Sequence, residues 1–307
     1  MTKKTLPDED VDMTGTTVVI TGASSGIGAA AARRLAARGA TVLPVGRSPD
    51  RTAAVAAEIG AEPLVADFAD LAQVRRLAGE LLDRCERIDV LANNAGGLVS
   101  QRRETGDGHE LTFQANHLAP FLLTRLLLPR LRESGRARGV PARVVTTASL
   151  GNRFGRLRLD DLQWRRRRYG GGWICYSTTK LMNILFTREL ARRHPDVRAY
   201  SFHPDPGVRG PRGPESTYPR FAQDSRLSPL LDKPPLRRFR LTSEDGARPL
   251  VWLASAPEVP GPNGTYFHGF APGKTNRQAD DPELAERLWD ISARLVEGTA
   301  RDTGAGR

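Results

Sequence analysis

The chain has 307 residues, of which 39% are hydrophobic and 26% are charged, and its formal net charge is +11. This composition is that of a soluble globular protein and excludes a disordered or fibrous chain. The positive charge could attract nucleic acid or phosphorylated ligands, but the arginines are spread along the chain and only RRRR at 165–168 is a local cluster, so solvated arginines are the simpler interpretation.

The chain begins MTKKTLPDEDVDM, with lysines, then acids, and no apolar run. We therefore expect neither a signal peptide nor a membrane span. Cys85 and Cys175 are far apart in a chain without an export signal, which is typical of a reduced cytoplasmic protein. The five histidines show no paired ligand spacing, so we expect no metal site.

Strands and helices alternate along the sequence. TTVVITGASSGIGAAAARRLAARGATVLPVGRS predicts a strand, a glycine-rich turn, an alanine-rich helix and a second strand. Further strands are predicted at AEPLVADFAD, IDVLANNAGG, ARVVTTAS, VRAYSFHP and GTYFHG, with helices between them. Such alternation predicts an α/β fold, namely one doubly wound Rossmann domain whose parallel sheet is flanked by helices on both faces.

The predicted domain spans residues 13–299, with a flexible N-terminus at 1–12 and a flexible C-terminus at 300–307. Between 208 and 241 the chain is rich in Pro, Arg and Ser, so regular structure is expected to be sparse there. A long loop in a compact α/β protein is more often a lid or binding loop than a linker, so we interpret 208–241 as a substrate loop.

Three glycines, Gly22, Gly26 and Gly28, follow the first predicted strand and open a helix. Glycine at such a turn lets the backbone approach a pyrophosphate, and the N–H groups of the helix start favour its negative charge. A tight turn without a ligand is the alternative. Because both flanking elements are predicted, we favour a dinucleotide-binding turn.

Tyr176 and Lys180 are four positions apart, so on a helix their side chains lie on one face. Taken alone this spacing carries little information. Together with TGASSGIG (21–28), NNAG (93–96) and Ser149, in that order, it resembles the short-chain dehydrogenase/reductase family. DGHELTFQANHLAPFLLTRLLLP and the long segment 151–175 between serine and tyrosine are similar to the family's retinol-dehydrogenase-like branch.

The resemblance implies four catalytic residues: Ser149, Tyr176, Lys180 and Asn116. Tyrosine, with an ordinary pKa of about 10, is a slow proton relay at neutral pH, and a lysine cation one turn away favours its ionised form. Tyr176 would exchange a proton with the substrate oxygen, which Ser149 would hydrogen-bond. Asn116 would support a water path to Lys180. A strand-end hydroxyl, a solvated lysine and a helix-breaking asparagine are the non-catalytic interpretations.

The resemblance also implies an NAD(P) cofactor. Arg47, after the second strand, can pair with a 2′-phosphate, which favours NADP over NAD, although Arg47 could equally be solvated, with Arg51 or another arginine setting the preference. HPDPGVRG departs from the family's proline-glycine turn, so the register at 203–207 stays open. The implied cofactor-binding residues are Gly22, Ser24, Ser25, Gly26, Ile27, Gly28, Arg47, Asp67, Phe68, Asn93, Ala95, Gly96, Tyr176, Lys180, Pro206 and Gly207.

The leading hypothesis is therefore an NADP-dependent ketone or aldehyde reductase acting on a fairly apolar small molecule. A catalytically silent dinucleotide-binding regulator is the alternative, and the intact Ser149, Tyr176 and Lys180 argue against it. A nucleic-acid partner is not expected, because no recognised binding module or aromatic-rich stacking motif accompanies the charge. A homo-oligomer is a possible assembly.

Overall fold

The computed structural model describes residues 11–204 and 242–302, with side chains to residue 298. The predicted turn at Pro206 and Gly207 and the predicted substrate loop 208–241 lie outside the described residues. The described residues form an α/β fold built on one eight-stranded sheet.

The strands are β1 (Thr17–Thr21), β2 (Thr41–Gly46), β3 (Leu64–Val65), β4 (Val90–Asn93), β5 (Arg143–Thr147), β6 (Arg198–His203), β7 (Tyr266–His268) and β8 (Ala271–Pro272). Their order in the sheet is β3-β2-β1-β4-β5-β6-β7-β8, and β1 through β7 pair in parallel. The expected parallel sheet is confirmed except at its last edge. There β8 turns back through Gly269 (φ +62°) and pairs with β7 in the antiparallel sense, which a short connection permits.

The helices are α1 (Gly26–Ala36), α2 (Pro49–Glu58), α3 (Leu71–Arg84), α4 (Leu111–Phe113), α5 (Ala119–Arg138), α6 (Trp173–Arg193), α7 (Ser243–Ser255) and α8 (Pro282–Asp302). Five π-helical residues, Gln114–Leu118, join α4 and α5 into one continuous helix. The helix α8 extends beyond the domain boundary expected at residue 299. None of the helices in the described ranges is long and apolar enough to cross a bilayer.

The sheet separates two apolar clusters, as expected for a doubly wound fold. Val18 and Ile20 of β1 pack with α1 and α7, whereas Val19 packs with α3, α5, α6 and α8. This alternation follows from the two-residue period of a strand. Strands on either side of β1 connect in opposite directions, so the carboxyl ends of β1 and β4 border the crevice where ligands of such folds bind.

Candidate active site

The turn after β1 requires glycine for reasons visible in the backbone. Gly22 and Gly26 have φ values of +71° and +60°, a region that disfavours residues with a side chain. A Cβ on Gly28 would overlap the Gly22 carbonyl oxygen and lie 2.7 Å from Asn94 Nδ2. The turn residues Ser24, Ser25 and Ile27 are partly exposed, and no side chain caps α1 at Ser25. The first N–H groups of α1 are thereby left for a ligand.

Two residues that the sequence analysis did not single out, Thr21 and Asn94, hold this turn against β4. Asn94 Nδ2 donates to the Thr21 carbonyl at 3.0 Å, and Thr21 Oγ1 accepts the N–H groups of Asn94 and Ala95, each at 3.0 Å. Thr147 Oγ1 at the end of β5 donates to Asn94 Oδ1 at 3.3 Å. Asn94 belongs to the NNAG motif, which was the available sequence signal.

Asn93, which the resemblance implies as a cofactor-binding residue, is buried. Its Nδ2 donates to Thr124 Oγ1 on α5 at 2.8 Å. In a strand successive side chains point to opposite faces, so of the two adjacent asparagines only Asn94 can reach the glycine turn. The floor beyond Ala95 is formed by the exposed backbone of Gly96.

Tyr176 and Lys180 lie on one face of α6, and both are buried, with 4% and 2% of their surface exposed. Lys180 Nζ is 5.5 Å from the centroid of the Tyr176 ring and donates to the Thr147 carbonyl at 2.9 Å. Burial lowers the pKa of Lys180 from 10.5 to about 8. The interpretation of Lys180 as a solvated charge is therefore wrong.

Asn116 lies in the π-helical turn, a feature that is frequent at functional sites. Its amide exchanges two hydrogen bonds of 2.9 Å with the backbone of Gly97 and donates to Thr179 Oγ1 on α6 at 3.1 Å. A Cβ on Gly96 would lie 2.9 Å from Asn116 Oδ1 and 3.3 Å from Lys180 Nζ. Gly96, Asn116 and Lys180 are thus brought together at one place.

Ser149 lies two residues after the end of β5 and precedes a short 3₁₀ helix, Leu150–Phe154. Its Oγ accepts the Gly151 N–H at 3.1 Å. A Cβ on Gly151 would lie 3.4 Å from Ser149 Oγ and 3.2 Å from Ser177 Oγ. The Ser149 hydroxyl is therefore close to the residue that follows Tyr176 on α6.

The residues predicted to select the nucleotide lie at the opposite end of the site. A Cβ on Gly46 would be 2.8 Å from Ser24 Cβ, so the end of β2 packs on the glycine turn. Arg47 follows and is exposed, and among the described residues it has no ion-pair or hydrogen-bond partner. Asp67 is half-buried, with Oδ1 accepting the Ala69 N–H at 3.0 Å, and Phe68 is buried beside it.

The arginine run at 165–168 is not an open basic cluster. Arg165 pairs with Glu104 at 3.7 Å and Arg166 with Asp160 at 2.7 Å. Arg167 pairs with Asp161 at 3.0 Å and lies 3.8 Å above the Trp164 ring. The run is therefore largely balanced by nearby carboxylates. In the described part of the chain, no group of three His, Cys, Asp or Glu side chains is placed to bind a metal ion.

A dinucleotide fits this arrangement. The glycine turn offers helix N–H groups to a pyrophosphate, and the close approach of Gly96 to Lys180 leaves a floor without a side chain, where a flat ring and its ribose can lie. Beyond that floor the site presents a hydroxyl, a phenol and an ammonium group. Such a set can bind and polarise a substrate oxygen while exchanging a proton with it.

Comparison with known proteins gives concordant results. Residues 16–159 match the short chain dehydrogenase family. A protein of Streptomyces sp. (strain C5), provisionally named daunorubicin C-13 ketoreductase DnrU, is 43% identical over 295 residues, covering 94% of each chain. Human retinol dehydrogenase 13 is 35% identical, over 92% of this chain and 85% of its own. A crystal structure of an uncharacterised protein from Mycobacterium paratuberculosis, 34% identical, superposes with a TM-score of 0.73 over 95% of this chain and 97% of its own.

Proposed function

Because this chain belongs to the short-chain dehydrogenase/reductase family, in its retinol-dehydrogenase-like branch, we propose that it reduces the ketone or aldehyde group of a fairly apolar small molecule with NADPH. Membership makes it an NAD(P)-dependent oxidoreductase acting on CH–OH and C=O groups. The observation that carries the proposal is the buried pair of Tyr176 and Lys180 beside Gly96, at the crevice that the glycine turn borders.

In the proposed mechanism Tyr176 gives its phenolic proton to the carbonyl oxygen of the substrate. The Lys180 ammonium, buried within 5.5 Å of the phenol ring, stabilises the negative charge that remains on Tyr176. Ser149 donates a hydrogen bond to the same substrate oxygen, on which negative charge develops. The bound nicotinamide supplies the hydride. The three residues thus divide proton transfer and charge stabilisation between two elements, α6 and the loop after β5.

Lys180 has a second proposed role, in holding the ribose of the cofactor. Among the described residues its Nζ donates to one acceptor, the Thr147 carbonyl, and an ammonium group has two further N–H bonds to donate. Asn116 joins the Gly97 backbone to Thr179 on α6. It therefore fixes the position of the floor relative to Lys180, which lies one residue further along α6. We assign Asn116 the positioning of this floor.

NADP is the proposed cofactor because of Arg47. Arg33 pairs with Glu58, and Arg34 pairs with Glu244 at 3.2 Å, so these arginines of α1 already have carboxylate partners. Arg47 borders the glycine turn, is exposed and has no such partner among the described residues. A guanidinium in this position suits a phosphate on the ribose, whereas NAD-binding relatives of this fold use a carboxylate there.

The preference for an apolar substrate is supported by the surface near the proposed catalytic residues. Leu150, Phe154 and Trp173 are large hydrophobic side chains with 38%, 60% and 39% of their surface exposed. The Trp173 ring centroid is 5.9 Å from that of Tyr176. Among the relatives, one is named a daunorubicin C-13 ketoreductase and another a retinol dehydrogenase, which supports a carbonyl or alcohol group as the reacting group.

The test is a panel of ketones and aldehydes of graded size and polarity, supplied with NADPH or NADH and followed by loss of nicotinamide absorbance. We expect turnover with apolar, bulky carbonyl compounds and higher kcat/KM with NADPH. Tight NADPH binding without turnover of any compound would favour the silent regulator instead.

A further inference from the structure

A buried carboxylate, that of Glu110, lies between the two helices that carry Asn116 and Tyr176. Glu110 has no exposed surface. Its Oε1 accepts the Thr112 N–H at 2.9 Å, and its Oε2 accepts the Phe113 N–H at 2.7 Å. The carboxylate thus caps the continuous helix that contains the π-helical turn with Asn116.

The same carboxylate binds two side chains that lead into α6. The Tyr169 hydroxyl donates to Oε1 at 2.9 Å, and the Cys175 thiol donates to Oε2 at 3.3 Å. Cys175 directly precedes Tyr176. Burial, reinforced by the nearby carboxylate, raises the pKa of both Tyr169 and Cys175, so both remain protonated donors at neutral pH. Glu110 therefore joins the helix of Asn116 to the first turn of α6.

Hydrogen bonds alone balance this buried charge within the described part of the chain. The four donors around Glu110 are two backbone N–H groups, a phenol and a thiol, and no cation pairs with the carboxylate there. A buried carboxylate is costly unless its oxygens are hydrogen-bonded, so the two oxygens hold their donors in place. A residue that served only to fill space would be apolar.

The chain between Tyr169 and α6 is a glycine turn that packs against the loop after β4. Gly170, Gly171 and Gly172 have φ values of +56°, +76° and +79°. A Cβ on Gly172 would overlap the Val99 carbonyl oxygen, so this turn lies directly against the loop after β4. The position of the first turn of α6 is thus set by that contact and by the donors to Glu110.

We propose that Glu110 is a positioning residue, which fixes the start of α6 relative to the π-helical turn so that Tyr176 and Asn116 are placed together for catalysis. The link from Asn116 to Thr179 sets the same spacing one turn further along α6. The kinetic consequence rests on the proposed function, but the structural consequence does not. A misplacement of about 1 Å in such a site can lower the rate about a hundredfold.

Two variants separate this role from helix capping. Glu110→Asp keeps a carboxylate at the cap, where Asp is a preferred residue, but its shorter side chain falls short of Tyr169 and Cys175. Tyr169→Phe keeps the carboxylate and the ring and removes the phenol oxygen, which donates to Glu110 Oε1 and also shares a hydrogen bond of 2.9 Å with Thr112 Oγ1. Glu104→Gln is the matched control, since Glu104 is a half-exposed carboxylate of the same region that pairs with Arg102 and Arg165.

The first measurement determines whether each variant changes kcat or KM. With the carbonyl compound of the panel that the parent turns over fastest, both variants should lower kcat about tenfold or more, while KM and Kd for NADPH change less than about twofold. Glu104→Gln should match the parent. Unchanged kcat in both variants would overturn the proposal.

The second measurement needs no turnover and therefore still decides if the proposed activity is absent. Hydrogen exchange should become about tenfold faster at the amides of 173–177 in both variants, with exchange in α1 unchanged. Equal acceleration in α1 would indicate general destabilisation and would overturn the positioning role. So would a lower melting temperature with unchanged exchange at 173–177, because the carboxylate would then be only a cap.

Discussion

The two helices that border the site, α1 and α6, are built in opposite ways. α1 buries small side chains, Ala29–Ala32 among them, and contributes to the site through its backbone. α6 buries polar side chains along most of its length, including Tyr176, Ser177, Lys180 and Asn183. The first helix allows a ligand to approach closely because side chains are missing. The second places functional side chains, of which Lys180 and Asn183 both donate to the Thr147 carbonyl.

This difference predicts that α6 is sensitive to the loss of single atoms and α1 to their addition. The largest effect is expected for Tyr176→Phe, which removes one oxygen. Turnover should fall about 10²- to 10⁴-fold, since the proton donor is lost, while Kd for NADPH stays within about twofold. Tyr200→Phe, which removes a buried phenol on β6, is the control and should keep the parent rate. Comparable rates in Tyr176→Phe and the parent would refute the assigned mechanism.

For α1 the corresponding change is Gly28→Ala, which adds one carbon where the Gly22 carbonyl lies. We expect a loss of about 1–3 kcal/mol in the free energy of unfolding, because the turn must shift, and weaker NADPH binding. Denaturant unfolding and a fluorescence titration measure the two effects.

The matched control for Gly28→Ala is Gly79→Ala in α3, where an added Cβ meets nothing within 4 Å. It should raise the free energy of unfolding by about 0.5–1 kcal/mol, because alanine lowers the conformational entropy of the unfolded chain and has a higher helix propensity than glycine. If both alanine variants bind NADPH like the parent, the glycine turn is not the pyrophosphate site.

Arg47→Asp tests the proposed role of Arg47 in selecting NADPH over NADH. A charge-assisted contact with the 2′-phosphate should contribute about 1.5–3 kcal/mol, which is roughly a ten- to hundredfold preference for NADPH. The aspartate should reverse that preference, because it repels the phosphate and can accept hydrogen bonds from free ribose hydroxyls. The ratio of kcat/KM values with NADPH and NADH is the measurement. Arg51→Asp is the control, and a shift found only there would transfer the role to Arg51.

The smallest effect concerns the protonation of Lys180. Because burial lowers the pKa of Lys180 to about 8, its ammonium form prevails below that pH and is lost above it. Affinity for NADPH should therefore be constant at lower pH and weaken above about pH 8, up to about tenfold per pH unit. A fluorescence titration from neutral to alkaline pH measures this, and Lys180→Met should lack the inflection. An identical pH profile in both proteins would exclude the proposed ribose contact.

The parts of the site that could be predicted from sequence are those encoded locally. The glycine turn needs positive φ values and close approach within seven residues, and the Tyr176–Lys180 pair needs only one helical turn. The doubly wound fold followed from the alternation of strands and helices, and the retinol-dehydrogenase-like resemblance was confirmed by the relatives. Local signals are sufficient for these features because the backbone period itself brings the residues together.

The features that could not be predicted from the sequence depend mainly on contacts between residues that are far apart in the chain. Glu110 and its donor Tyr169 are 59 positions apart, and Asn94 reaches Thr21 across 73. The π-helical turn was predicted as part of an ordinary helix, since one extra residue in a helical turn leaves the apolar pattern nearly unchanged. The antiparallel strand β8 has only two residues, too few to show a two-residue alternation.

The burial of both cysteines has a practical consequence. Cys85 and Cys175 are buried, and burial raises the pKa of each thiol, so neither offers a reactive thiolate at neutral pH. Maleimide or iodoacetamide reagents should therefore leave the native protein unlabelled while it is folded. A cysteine introduced at Val140, which is 56% exposed between α5 and β5, would carry a fluorophore or a surface linkage selectively without prior removal of the natural cysteines.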